Sequence, residues 1–79
     1  MNAYKQILVD IARAIVDDPD SVSVTETEGE DGNPVLVLSV APDDMGKVIG
    51  KHGRIAKAIR SVIRAAANRA GDRVTVEIQ

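Results

Sequence analysis

Two glycines separated by two residues, in the run Gly50-Lys51-His52-Gly53, stand between two stretches of helical periodicity. A turn built on glycine lacks Cβ atoms, so the backbone of a bound polyanion can approach the peptide closely. The first turn of the helix that follows has free backbone N–H groups and the positive end of the helix dipole, and both suit a phosphate. This spacing predicts a phosphate-binding turn.

Four basic residues in and beside this turn are the candidate phosphate contacts. Lys51 lies within the turn, Lys47 precedes it, and Arg54 and Lys57 follow it in the next helical stretch. Lysine offers a point charge and arginine a planar fork of donors, and both bind phosphate in nucleic-acid interfaces. The same helical face continues with two further basic residues, for which contact with the ligand stays open: Arg60 and Arg64.

The uncharged residues of the turn have two interpretations. Gly50 and Gly53 suit close approach by a phosphate, but a tight turn between two helices needs glycine in any case. His52 is the only histidine and has no partners for a metal site or an acid–base pair, so we expect it to be exposed near the ligand. Three isoleucines could line an apolar floor for bases or belong to the core, with the first shared between both and the last mostly core: Ile49, Ile55 and Ile59.

The charges are unevenly distributed along the chain, although the net charge is only −2. Residues 1–45 hold two basic and ten acidic residues, a net charge of −8, whereas residues 46–79 hold eight basic and two acidic residues, a net charge of +6. Because salt screens such fields over roughly 8–10 Å, a basic region can bind a polyanion even in an acidic chain. The alternative is two solvated faces of opposite sign.

Other glycine motifs fit the sequence less well. The run Gly29-Glu30-Asp31-Gly32 has the same spacing, but it carries two acids between two strand-like segments, so we interpret it as a hairpin turn without a binding role. The chain has no Gly-x-x-x-x-Gly-Lys-Ser/Thr run, which argues against a nucleotide-triphosphate loop. The glycines at 50 and 53 do not directly follow a strand, which argues against a dinucleotide fold.

Composition limits the class of protein. A chain of 79 residues, 44% hydrophobic and 28% charged, is typical of one globular domain, residues 1–79. It has no cysteine, no apolar run of membrane-spanning length and no signal-peptide pattern, so we expect a cytoplasmic protein that binds no membrane. No Ser/His/Asp, Cys/His or metal-ligand cluster is visible, so we expect no catalysis, no metal and no cofactor.

The first half of the chain predicts one helix and a hairpin. Residues 2–17 repeat apolar side chains at helical spacing, and Pro19 ends that helix. Alternation predicts a strand over residues 21–28, followed by a polar turn at 29–33. Residues 34–40 form a nearly continuous apolar run, which indicates the middle strand of a sheet.

The second half predicts two helices and a strand. A helix over residues 42–49 begins with Asp43 and Asp44 at the positive end of its dipole. A longer helix follows over residues 54–70, and residues 73–78 alternate as a last strand. The apolar face of the longer helix is expected to consist of Ile55, Ile59, Val62, Ile63 and Ala66.

The predicted order is α-β-β-α-α-β. The second and third strands are joined by a helical crossover, so if they are neighbours they are most simply parallel. The expected fold is therefore α+β, with a three-stranded mixed sheet and three helices packed on one face.

Both the turn and this order resemble a known family. The run Val48-Ile49-Gly50-Lys51-His52-Gly53 is similar to the KH signature Val/Ile-Ile-Gly-x-x-Gly, and the order of elements resembles the type II, bacterial KH domain. Longer runs at residues 17–20, 41–51 and 53–60 resemble the bacterial KhpA family, and the resemblance covers essentially the whole chain.

The resemblance implies a single-strand RNA-binding protein that clamps a short run of nucleotides at residues 50–53, named here the Gly-x-x-Gly turn. It also implies a larger KH-containing protein partner, KhpB, and a link to RNA chaperoning, post-transcriptional regulation, and cell shape and envelope growth. A homodimer stays open, because apolar residues alternate on edge strands. The alternative is a protein-interaction module in which the basic helix faces an acidic partner and the turn is only structural.

Overall fold

The computed structural model describes residues 3–79 and contains the six elements in the predicted order. The first predicted helix is α1 (Ala3–Ile15), and its expected start at residue 2 lies outside the described residues. The boundaries fall within two residues of prediction except before α2, where Pro42–Asp44 form a 3₁₀ turn. The remaining elements are β1 (Ser23–Glu28), β2 (Pro34–Ser39), α2 (Met45–Ile49), α3 (Arg54–Arg69) and β3 (Thr75–Ile78).

The central strand of the three-stranded sheet is β2, as its apolar sequence predicts. It pairs antiparallel with β1 through the hairpin and parallel with β3 after the crossover through α2 and α3. In this register Leu38 lies between Val24 and Ile78, so the three side chains share one face. The predicted α+β fold with a mixed sheet is confirmed.

The helices cover one face of the sheet and enclose an aliphatic core. Its largest fully buried side chains are Leu8, Leu36, Leu38, Val48 and Ile63. They come from all three helices and from the central strand, and burying each contributes about 1.5–3 kcal/mol relative to leaving it exposed. Even the five-residue helix α2 is thus anchored by one fully buried side chain, Val48.

The predicted apolar face of α3 is partly wrong. Ile63 is buried as predicted, but Ile55 and Val62 are 39% and 50% exposed. Ala56 and Ala67 are buried in their place. At about 100° per residue, the two exposed residues lie roughly a quarter-turn away from the buried ones. The helix therefore places small side chains against the rest of the fold and leaves larger apolar ones on its flank.

The carboxylate of Asp44 joins the end of α1 to the beginning of α2. It is the only buried charged side chain among residues 3–79. Its two oxygens accept hydrogen bonds from the backbone N–H groups of Asp17, at 3.2 Å, and Asp18, at 3.1 Å. Lys47 Nζ lies 3.5 Å from the same carboxylate. Asp44 stands at the predicted positive end of its helix, but it makes no capping bond there and serves a distant segment instead.

This contact explains why α1 ends two residues before its predicted end. The N–H of Val16 still bonds to the carbonyl of Ala12 at 3.1 Å, which continues the helical pattern. The next two N–H groups, of Asp17 and Asp18, bond to the Asp44 carboxylate. A residue 26 or 27 positions away in sequence therefore ends the helix.

Asp44 should make the fold sensitive to acid. The N–H of Asp17 is the main cause that lowers the pKa of Asp44, opposed by burial and assisted by the N–H of Asp18 and by Lys47. Because the folded pKa lies below the unfolded one, the stabilisation is complete above the unfolded carboxyl pKa of about 3.9. It is lost as the pH falls through the folded value.

We expect Asp44→Asn to lower the melting temperature by several degrees at neutral pH, because an amide presents one acceptor oxygen to two N–H donors. We also expect a flatter fall of melting temperature in acid. Circular dichroism melts from about pH 6 to about pH 2 measure both effects. Asp43→Asn, on the exposed neighbouring carboxylate, is the control. The same acid dependence in Asp44→Asn and the wild type would contradict this role.

Candidate nucleic-acid interface

The Gly-x-x-Gly turn links α2 to α3 with almost no intervening chain. The N–H of Gly50 bonds to the carbonyl of Gly46 at 2.9 Å, and the N–H of Gly53 bonds to the carbonyl of Gly50 at 3.1 Å. Gly50, His52 and Gly53 have positive φ angles of 76°, 58° and 73°. His52 is the only non-glycine residue with positive φ among residues 3–79. The turn is complete within four residues, and α3 begins directly at Arg54.

The two glycines of the turn are required for different reasons. A Cβ atom at Gly50 would lie 2.3 Å from Cγ1 of Ile55 and 2.9 Å from its backbone nitrogen. The φ of 76° and ψ of 172° at Gly50 also fall in a region essentially restricted to glycine. At Gly53 no atom of the described residues lies within 4 Å of a Cβ position, and only the positive φ favours glycine. Gly50 therefore serves the packing of the protein itself, whereas Gly53 leaves open surface.

The beginning of α3 is a positive surface. No side chain of residues 3–79 caps it, and its first turn contains no acidic residue. Lys51, Arg54 and Lys57 are exposed there, together with His52. None of the three cations forms an ion pair with another of residues 3–79. Helix N–H groups without side-chain acceptors, the helix dipole and three uncompensated cations thus favour an anion at this place.

Lys47, the fourth predicted cation, is held by two acids. Its Nζ lies 3.1 Å from the carboxylate of Asp17 and 3.5 Å from that of Asp44. The hydrogen bond to Asp17 is the main cause that raises the pKa of Lys47. The charge of Lys47 is therefore already compensated, unlike that of Lys51 in the turn.

The two basic residues that the sequence left open lie along α3, away from the turn. Arg60 Nε donates to the backbone carbonyl of Val76 at 3.3 Å, which ties α3 to β3. Arg64 lines an open depression together with Asn68 and Arg73. It stands ten residues after Arg54, about 15 Å further along the helix.

Apolar surface beside the turn comes from two residues. Ile49 is half-buried, as predicted for a residue shared between core and surface. Ile55 lies over Gly50 and is 39% exposed. Ile59 is only 4% exposed and belongs to the core, which the sequence also predicted.

The described part of the chain offers neither a metal-binding cluster nor a membrane-spanning helix. Within residues 3–79, no group of three or more His, Cys, Asp or Glu side chains is placed to hold a metal ion. Over the same range, every helix is too short or too polar to cross a membrane.

The order α-β-β-α-α-β, with a Gly-x-x-Gly turn between the second and third helices, defines a type II KH domain. The KhpA/KhpB KH-domain model matches residues 5–78, and the chain belongs to this family. The RNA-binding protein KhpA of Clostridium acetobutylicum is 61% identical over 74 residues, which cover 94% of this chain and 97% of that protein. The RNA-binding protein KhpA of Aquifex aeolicus is 47% identical over 78 residues, or 99% and 98% of the two chains.

Two solved structures of Era share the fold at lower identity. One is a variant of Aquifex aeolicus Era bound to GDP and AlF4⁻, with a TM-score of 0.64. The other is Era in complex with MgGDPNP and nucleotides 1506–1542 of 16S ribosomal RNA, with a TM-score of 0.67. Both are 21% identical and cover 95% of this chain, which spans less than a third of the Era chains, 29% and 28%. At that identity the likeness shows the fold alone.

Alanine at the two glycines of the turn should cost different amounts of stability. Gly53→Ala should cost about 1–2 kcal/mol, because only the left-handed φ is strained. Gly50→Ala should cost roughly 2–5 kcal/mol, since the contact with Ile55 adds an overpacking penalty. Urea unfolding followed by circular dichroism measures both.

The matched control is Gly46→Ala in α2, where a Cβ meets no atom within 4 Å. Alanine is the better helix former there, so this variant should match or exceed the wild type in stability. Equal losses for Gly50→Ala and Gly53→Ala would contradict the role assigned to the contact with Ile55.

Proposed function

We propose that this chain binds single-stranded RNA without catalysis and holds the RNA backbone at the Gly-x-x-Gly turn. Relatives that match nearly its whole length are named RNA-binding proteins. The observation that carries the proposal is the start of α3, where Lys51, Arg54 and Lys57 are exposed and no acidic residue among residues 3–79 pairs with them. Phosphate is the ligand that this combination favours.

The residues of the proposed site have different roles. Lys51, Arg54 and Lys57 contact phosphate, and Gly53 gives the RNA backbone room to approach the peptide. Gly50 acts mainly by giving the turn its shape. The whole set proposed to lie against RNA is Lys47, Ile49, Gly50, Lys51, His52, Gly53, Arg54 and Lys57.

Binding of this kind is weak and tolerant of sequence. The chain has one aromatic residue, Tyr4, and its hydroxyl donates to the carboxylate of Asp72 away from the turn. An aromatic stacking platform for bases is therefore not available. Affinity comes from the backbone at the turn, from charge, and from the aliphatic surface of Ile49 and Ile55.

We extend the proposal to the cellular role. A weak single-domain binder gains affinity when it is joined to a second RNA-binding chain, because the second contact becomes intramolecular. A larger KH-containing protein, KhpB, is the proposed partner, and a cytoplasmic RNA chaperone or post-transcriptional regulator is the proposed role. The domain model that matches this chain covers both KhpA and KhpB.

A second candidate is a protein-interaction module. It is favoured by Ile55 and Val62, large apolar side chains exposed on the flank of α3. In that case the turn is structural and the cations face an acidic protein. If the chain is such a module, reversing the charge of the turn does not change its affinity for RNA.

We expect Lys51→Asp combined with His52→Asp to weaken RNA binding at least about tenfold, about 1.4 kcal/mol or more, while the fold melts nearly as before. Aspartate tolerates the left-handed conformation of residue 52 better than most residues, so the turn can keep its shape. Fluorescence anisotropy with a short single-stranded RNA measures the affinity.

The matched control is Asn68→Asp with Arg69→Asp, which makes the same change in net charge at the other end of α3. The two pairs are separated by about 24 Å, the length of the 16-residue helix, which exceeds the screening length. The control should bind RNA nearly as the wild type does. Wild-type affinity in the variant of the turn would overturn the assignment of the clamp.

Binding should also depend on salt to a calculable extent. Each phosphate neutralised on a single strand contributes about −0.7 to the slope of log affinity against log salt. Three uncompensated cations at the turn therefore predict a slope of about −2. A titration between low and physiological salt measures it, and a slope near zero would contradict phosphate contact as the main source of affinity.

A further inference from the structure

Lys47 belongs to the proposed RNA site, but its positive charge is already paired with acids of the protein. It lies in α2 three residues before Gly50, and two carboxylates hold its ammonium group. These two carboxylates are not equivalent. The side chain of Asp44 is 3% exposed and already accepts two backbone hydrogen bonds, whereas the side chain of Asp17 is 81% exposed. Asp17 is therefore the partner that another anion can displace.

We propose that Asp17 is a built-in competitor of the RNA phosphate for Lys47, so that it lowers the affinity of the site. The inference rests on the proposed RNA binding. Asp17 holds the Lys47 ammonium in the free chain, and a phosphate of bound RNA replaces it. This competition then reduces the affinity for RNA that the cations of the turn provide.

The backbone of Asp17 is held in a position from which its carboxylate can reach Lys47. Its own N–H donates to the Asp44 carboxylate at 3.2 Å, and the N–H of Asp18 does so at 3.1 Å. This anchors the segment after α1 to the start of α2, the helix that carries Lys47. The Asp17 carboxylate is therefore held close to the Lys47 ammonium, at 3.1 Å. Within residues 3–79, no other exposed acid is paired with Lys47.

The exposure of Asp17 also limits the size of the effect. Exposed ion pairs are weak because water and salt compete with them, so phosphate can replace the carboxylate at small cost. Removing the competitor should therefore raise RNA affinity about two- to fivefold rather than by orders of magnitude. Because salt also weakens the Asp17–Lys47 ion pair that competes with RNA, removing Asp17 should make the salt slope of RNA binding steeper.

The test compares Asp17→Asn with Asp20→Asn, two exposed acids of the same segment whose replacement makes the same change in net charge. Affinity for a short single-stranded RNA is measured by anisotropy at several salt concentrations, and melting temperatures check the fold. We expect Asp17→Asn to bind about two- to fivefold more tightly than Asp20→Asn, with the steeper salt slope.

A second pair of variants asks whether the gain acts through Lys47. Lys47→Gln removes the charge and keeps a donor for Asp44, so in that background Asp17→Asn should gain no more affinity than Asp20→Asn does. Equal gains from Asp17→Asn and Asp20→Asn in the presence of Lys47, or a larger gain from Asp17→Asn that persists with Lys47→Gln, would overturn the inference. A wild type that binds no RNA, or binds it regardless of Lys51→Asp with His52→Asp, would instead refute the proposed function, and this inference with it.

Discussion

The turn between α2 and α3 is stabilised by the absence of a side chain at residue 50. A Cβ atom at residue 50 would lie 2.3 Å from Cγ1 of Ile55, which occupies that space. The backbone of Gly50 also adopts φ and ψ angles that other residues avoid. This close approach lets α3 begin one residue after the turn ends. The positive end of α3 and the cation Arg54 are thereby brought next to Lys51. The local chemistry of the site thus follows from one packing constraint inside the protein.

A buried charge secures the other end of α2. With five residues, α2 is too short to be stable as an isolated helix, so its position depends on contacts at both ends. Burying a carboxylate is costly unless it is hydrogen-bonded and paired, and Asp44 has both kinds of partner. The two N–H groups that satisfy it belong to the chain just after α1. The geometry of the Gly-x-x-Gly turn is therefore linked to the first helix as well as to the third.

Local patterns predicted the elements and the turn, and non-local contacts account for the differences. The alternation of apolar and polar residues and the spacing of Gly50 and Gly53 are patterns among residues close together in the sequence. The order α-β-β-α-α-β could therefore be predicted from them. The buried face of α3 could not be predicted in this way. Hydrophobicity alone favours burial of Ile55 and Val62, whereas close packing places the small Ala56 in the core. The contacts of Asp44 span 26 and 27 residues, and no pattern within a helix indicates them.

Acidic residues dominate the first half of the chain and basic residues the second half. In the fold, charges from both halves lie together where α1 contacts α2. Acidic and basic halves suggest two distinct faces, but Asp17 of the acidic half lies 3.1 Å from Lys47 of the basic half. Fields from charges beyond roughly 8–10 Å are screened, so the net charge of −2 says little about anion binding. An acid within hydrogen-bonding distance of a cation is not screened in this way. We therefore expect phosphate binding at this surface to depend on which cations have an acidic partner, and Lys51, Arg54 and Lys57 have none within residues 3–79.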